Sequence, residues 1–147
     1  MKHQWKLKFY HSVVEEELKL PLFSTPVVAG FPSPADDHVD EKLDLNRLLI
    51  KHPAATFYVR VEGNSMEDGH IQEGDILVVD RALHPKNGDI IVAVLNGEFT
   101  VKRLKIEQNR LFLVPESPRF KLLEVTEEVD FQVWGVVTFV IHSCTRS

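Results

Sequence analysis

The stretch Ile91-Val92-Ala93-Val94-Leu95-Asn96-Gly97-Glu98-Phe99-Thr100-Val101-Lys102 decides the fold class. Two β-prone runs flank an Asn-Gly pair, and those two residue types accept the positive φ that both central positions of a type I′ turn require. The segment therefore reads as a β-hairpin. From Ala54 onward the same grammar repeats, with short β-prone runs set between Gly, Pro, Asn and Asp. That spacing predicts a mainly β, barrel- or sandwich-like body. The expected strands are Thr56–Val61, Asp75–Asp80, Asp89–Leu95, Glu98–Lys105, Arg110–Val114, Lys121–Val125 and Phe131–Ile141. Phe57, Val59, Leu77, Val79, Val92, Val94, Val136 and Phe139 are expected to line the core, and Trp134 is assigned to it as well.

Upstream of this body the character changes. Pro21, Pro26, Pro32 and Pro34 follow one another closely after the acidic run Glu15-Glu16-Glu17, which excludes a regular helix or a central strand. Residues 1–45 are read as a flexible N-terminal arm and residues 46–147 as the folded domain. Within the arm, Trp5, Leu7 and Phe9 alternate loosely, which leaves the first dozen residues open between a strand and no structure. Asp44 before Leu45-Asn46-Arg47-Leu48-Leu49-Ile50 offers a cap and apolar residues at helical spacing, so one short helix is expected there.

Composition narrows the function classes. The chain has 147 residues, 44% hydrophobic and 27% charged, a balance that suits one globular domain rather than a disordered or membrane-embedded chain. Its net charge of -5 argues against broad electrostatic contact with nucleic acid, which needs a basic face. Any DNA role is expected to run through a protein partner. The one cysteine, Cys144, excludes an internal disulfide and suits a reducing compartment. With no apolar run of membrane length and no signal-peptide pattern, a cytoplasmic location is expected.

For chemistry, the loop from Val61 to Asp75, which contains Gly63-Asn64-Ser65-Met66-Glu67-Asp68-Gly69, is the first candidate, because it sets a serine after a strand in a turn rich in small and polar residues. Backbone N–H groups in such a turn can face an oxyanion. The same residue types also make ordinary solvated turns, and Glu67 stands where a nucleophile elbow would have its second glycine. His70 shares the turn and is a weak base candidate. The seven histidines show no metal-binding spacing, so neither metal nor cofactor is expected. Lysine is the remaining base. Its reference pKa of about 10.4 leaves on the order of one in 2,500 neutral at pH 7, and desolvation is what lowers such a value. Lys102 is the lysine set inside a predicted strand, where the period of two puts Thr100, Lys102 and Leu104 on one face. An outward-facing strand charge is the bland alternative for it.

Taken together, the Gly63–Gly69 motif, Glu73-Gly74-Asp75-Ile76-Leu77-Val78-Val79-Asp80, Gly88-Asp89-Ile90-Ile91 and Gly97-Glu98-Phe99-Thr100-Val101-Lys102 resemble the LexA/UmuD self-cleaving serine peptidases. The resemblance spans most of the chain. It implies a Ser65–Lys102 dyad, an oxyanion site at the backbone N–H groups around Asn64 and Ser65, and self-cleavage between Ala29 and Gly30. Only 29 residues precede Gly30, too few for the DNA-binding domain of the repressor branch, so the UmuD-like branch is expected. Pro21-Leu22-Phe23-Ser24 and Gly30-Phe31-Pro32-Ser33-Pro34 fit that branch. Met1 to His11 has no clear counterpart in it, and Ala29 stands where some members carry Cys.

The resemblance further implies an SOS-response role: a homodimer, stimulated by the RecA filament on single-stranded DNA, whose cleaved form serves a UmuC-like Y-family polymerase in translesion synthesis. Closing the roughly 35-residue stretch from Gly30 to Ser65 costs only about 3 kcal/mol, so the arm can reach the site in cis or cross to a second subunit. A signal-peptidase-like enzyme would need a membrane anchor. A non-catalytic β module of the same fold is the alternative from another class, and it predicts that the dyad does nothing.

Overall fold

The computed structural model describes residues 5–11, 17, 19–23, 39–63, 71–114 and 121–145. In chain order the elements are β1 (Trp5–His11), β2 (Lys19–Phe23), β3 (Val39–Asp44), α1 (Leu45–Leu49), a 3-10 turn (Pro53–Ala55) and β4 (Thr56–Gly63). They continue with β5 (Ile76–Asp80), β6 (Ile90–Leu95), β7 (Glu98–Glu107), β8 (Arg110–Val114), β9 (Leu123–Glu124) and β10 (Phe131–Ile141). Eight strands form one antiparallel sheet in the order β1-β4-β5-β10-β6-β7-β8-β9, and β2 pairs with β3 in a separate ribbon. The mainly β class read from the sequence is the class observed. Pro21 sits in β2, opposite Lys42; a two-stranded ribbon is all edge, which is where a strand tolerates proline.

Local chemistry explains the joints. Asn96 and Gly97 adopt φ of 49° and 84°, the I′ turn that their identities favour. A second turn of the same hand, Gln108-Asn109 with φ of 51° and 62°, joins β7 to β8. At α1 the Asp44 carboxylate accepts from the Asn46 N–H at 3.0 Å, a cap that contributes about 1 kcal/mol. Arg110 grips Glu124 through two bonds of 2.8 and 2.7 Å. This fork fastens β9 to β8 and holds the Glu124 carboxyl below its ordinary range.

The sheet curls until β1 meets β7, with the Phe9 and Phe99 rings 4.8 Å apart. Val59, Val61, Ile71, Leu77, Val79, Val92 and Val101 fill the inside of the curl. Ile91, Ala93, Leu104, Leu113 and Val136 form a second cluster. Adjacent residues of β6 belong to different clusters, so this strand is buried on both faces. That is why Ile91 and Ala93, which an alternating pattern would send to solvent, join the core.

Two bulges in β10 correct the expected core. Its register slips between Val133 and Gly135 against β6, and between Val137 and Phe139 against β5. An extra residue reverses the side-chain phase beyond it. Val137 therefore packs on the inner cluster, whereas Phe139 lies opposite Val78 and is 37% exposed. Phe57 and Val94 are half-buried. At the first bulge a Cβ on Gly135 would sit 2.5 Å from Val79 Cγ1, so the Val79 side chain fills the space a larger residue would need and would have to repack around it.

Candidate active site

Lys102 lies mid-way along β7, directly opposite Ile91 of β6. Residues Glu98–Arg103 pair with β6, and Arg103–Glu107 pair with β8, so Lys102 stands where the second neighbour begins. Partners across an antiparallel pair share a face. Lys102 thus falls on the side of Ile91 and Leu104, while Val101, opposite Val92, faces the inner cluster. This is the face assignment expected from the period of two. The lysine is half-buried between Val101 at 0% and Leu104 at 1% exposure. Arg103 turns the other way, and its guanidinium donates to the Gly88 carbonyl at 2.6 Å.

Asn64, Ser65 and His70 lie outside the described residues, as do Ala29 and Gly30. What the structure does describe is the root from which the serine loop springs. The Val61 N–H donates to the Asp75 carbonyl at 2.9 Å, and the Gly74 N–H donates to the Val61 carbonyl at 2.7 Å. These bonds clamp the two ends of the loop together. Ile71, at 0% exposure, plugs the loop's returning limb into the inner cluster. Gly74 takes φ of 90°, a conformation glycine adopts without strain.

Asp75 anchors that root. It is buried, and its Oδ2 accepts from the Gln72 N–H at 2.9 Å while its Oδ1 meets His142 Nδ1 at 2.5 Å. A buried carboxylate needs such partners. At the other end of β5 the pattern repeats: Asp80 is buried, and its Oδ2 lies 2.6 Å from His52 Nδ1. Sequence reading did not single out either histidine as a partner. The Gly74-Asp75 turn was visible, but its link to His142 spans 67 positions and is made only by the fold.

On the rim of the same half of the sheet, Lys8 Nζ of β1 pairs with Glu62 Oε1 of β4 at 3.0 Å. The hydrogen bond to Glu62 holds the Lys8 ammonium above its ordinary pKa range. Among the described residues no group of His, Cys, Asp or Glu is arranged to hold a metal ion. No helix among them is long and apolar enough to cross a membrane. Cys144 is exposed.

Residues 21–138 match the Peptidase S24-like family. The chain is 49% identical over 127 residues to Protein SamA of Salmonella typhimurium, covering 86% of this chain and 87% of that one. To Protein ImpA of Escherichia coli it is 49% identical over 123 residues, 83% of each chain. Protein MucA of Escherichia coli is 42% identical over 120 residues, which is 81% of this chain and 82% of that one.

Proposed function

The chain belongs to the S24-like peptidases, as a UmuD-like member of the LexA/UmuD family, and from that premise we propose that it cleaves its own backbone between Ala29 and Gly30 with a Ser65–Lys102 dyad. The observation that carries the reading is the setting of Lys102: half-buried in mid-strand, opposite Ile91 and flanked by the buried Val101 and Leu104. Pairing on the strand holds the amine in a defined place, which a general base requires.

In this mechanism neutral Lys102 takes the Ser65 hydroxyl proton as the oxygen attacks the Ala29 carbonyl carbon. Backbone N–H groups around Asn64 and Ser65 receive the developing oxyanion. Collapse breaks the bond to the Gly30 nitrogen, which leaves with the proton held on Lys102. Water then hydrolyses the Ala29 ester and frees Ser65. No metal or cofactor enters. Because the substrate is part of the chain, its effective concentration is in the millimolar range, and small residues at Ala29 and Gly30 suit a crowded site.

The biological role that fits is SOS mutagenesis. The RecA filament on single-stranded DNA would favour the competent arm position, and the Gly30–Ser147 product would join a UmuC-like Y-family polymerase as a homodimeric accessory subunit in the cytoplasm. With a net charge of -5, DNA contact falls to the partners. Incubating the purified chain with RecA, ATP and single-stranded DNA tests this: the Gly30–Ser147 product is expected from the parent and not from Ser65→Ala. An intact parent, or equal cleavage in Ser65→Ala, contradicts the proposal.

A further inference from the structure

Strand β1 lies ahead of residue 21, where the family match begins, and the structure gives it a definite place. Its seven residues pair antiparallel with β4, from Trp5 opposite Gly63 to His11 opposite Phe57. Alternate side chains turn into the curl of the sheet. Leu7 packs on the inner cluster, Phe9 meets the Trp134 ring at 4.9 Å as well as Phe99, and His11 meets the Phe57 ring at 4.8 Å. Lys8, on the outward side, pairs with Glu62.

Chain order makes this strand unusual. Among the described residues, β1 and β2 precede the Ala29–Gly30 bond and the other strands follow it. Cutting that bond leaves the fragment that carries β1 held to the body without a covalent link, through the β1–β4 ladder, its apolar contacts and the Lys8–Glu62 pair, and through the β2–β3 ribbon. Were β1 to leave, β4 would present an unpaired edge beside Val59 and Val61, both at 0% exposure. Such an edge is a template for an extended segment.

The geometry points to the outer edge of β4 as a strand-acceptor site, filled in the intact chain by its own β1 and converted by arm cleavage into a non-covalent, exchangeable complex. The ligand class is an extended peptide with apolar residues at alternate positions, as Leu7 and Phe9 are, and a cation between them, as Lys8 is. Before the cut, the linker keeps β1 at high effective concentration. Afterwards, occupancy depends on the strand's own affinity. This inference rests on the proposed cleavage position but not on the chain performing the cut.

The test therefore uses the full chain with the recognition sequence of an added site-specific protease inserted after Ala29, so that nicking does not depend on Ser65 or Lys102. After nicking, the N-terminal fragment is expected to co-elute with the body in size-exclusion chromatography, with both masses found in one peak. Excess synthetic Lys2–Val13 peptide is expected to displace it. Leu7→Asp with Phe9→Asp should move the fragment to its own elution volume, while Leu20→Asp in β2 should leave it bound. The inference is overturned if the parent fragment separates at once from a body whose circular dichroism is unchanged, if the peptide displaces nothing, or if Leu20→Asp releases it as fully as the β1 variant does.

Discussion

Strands β7 and β1 face each other across the seam where the sheet curls on itself, and they are held in opposite ways. β7 is paired along its whole length, to β6 in its first half and β8 in its second, and it buries Val101 and Leu104 at 0% and 1% exposure. β1 has one partner, β4; its Leu7 is half-buried and its Phe9 is 36% exposed. The strand that carries the proposed base is thus locked by the core, and the strand ahead of the proposed cleavage bond is laid on top of it. A reacting group needs a fixed position, whereas a segment that the proposed cleavage would unlink needs only enough contact to dock.

The contrast is broken most severely from the β7 side. Leu104→Ala removes a buried side chain next to the lysine's position and is expected to lower stability by about 3 kcal/mol, read from urea unfolding. A loss below about 1 kcal/mol would mean that β7 is less firmly built in than its burial implies. Phe9→Ala, on the β1 side, should cost less, about 1 kcal/mol, because the ring is part-exposed and its contribution comes largely from aromatic pairing. Equal costs for the two variants would erase the distinction.

A smaller change sharpens it. Gln108 and Asn109 occupy the same left-handed turn as Asn96 and Gly97, but glutamine has no preference for that conformation. Copying the first turn into the second, as Gln108→Asn with Asn109→Gly, is expected to add about 0.5–1 kcal/mol, seen as a rise in melting temperature of about 2–4 °C. No rise would indicate that the β7–β8 joint is set by pairing rather than by its turn.

These two turns also mark what the sequence made legible. The Asn96-Gly97 hairpin was readable because its chemistry is local, and the helix at Asp44 for the same reason. The Gln108-Asn109 turn announced itself only through the strands on either side. The sequence pattern places Phe139 in the core, but a β10 bulge reverses the phase and exposes it; a bulge arises from fitting one strand between two neighbours. In the site, the strand and face of Lys102 followed from a period of two. The Asp75–His142 couple did not, since tertiary folding alone joins residues so far apart. Trp5 to His11 was ambiguous for a related reason: an edge strand is defined by the strand it finds.

The central claim is that Lys102 is the base for cleavage between Ala29 and Gly30. Intact-mass spectrometry of the purified chain after incubation at pH 7 and at about pH 10, with Lys102→Ala alongside, tests it most directly, since alkali favours neutral lysine. The account predicts a split between Ala29 and Gly30 that increases with pH in the parent and is absent from Lys102→Ala. The same split in Lys102→Ala, or an intact parent under both conditions and also after adding RecA, ATP and single-stranded DNA, would contradict it.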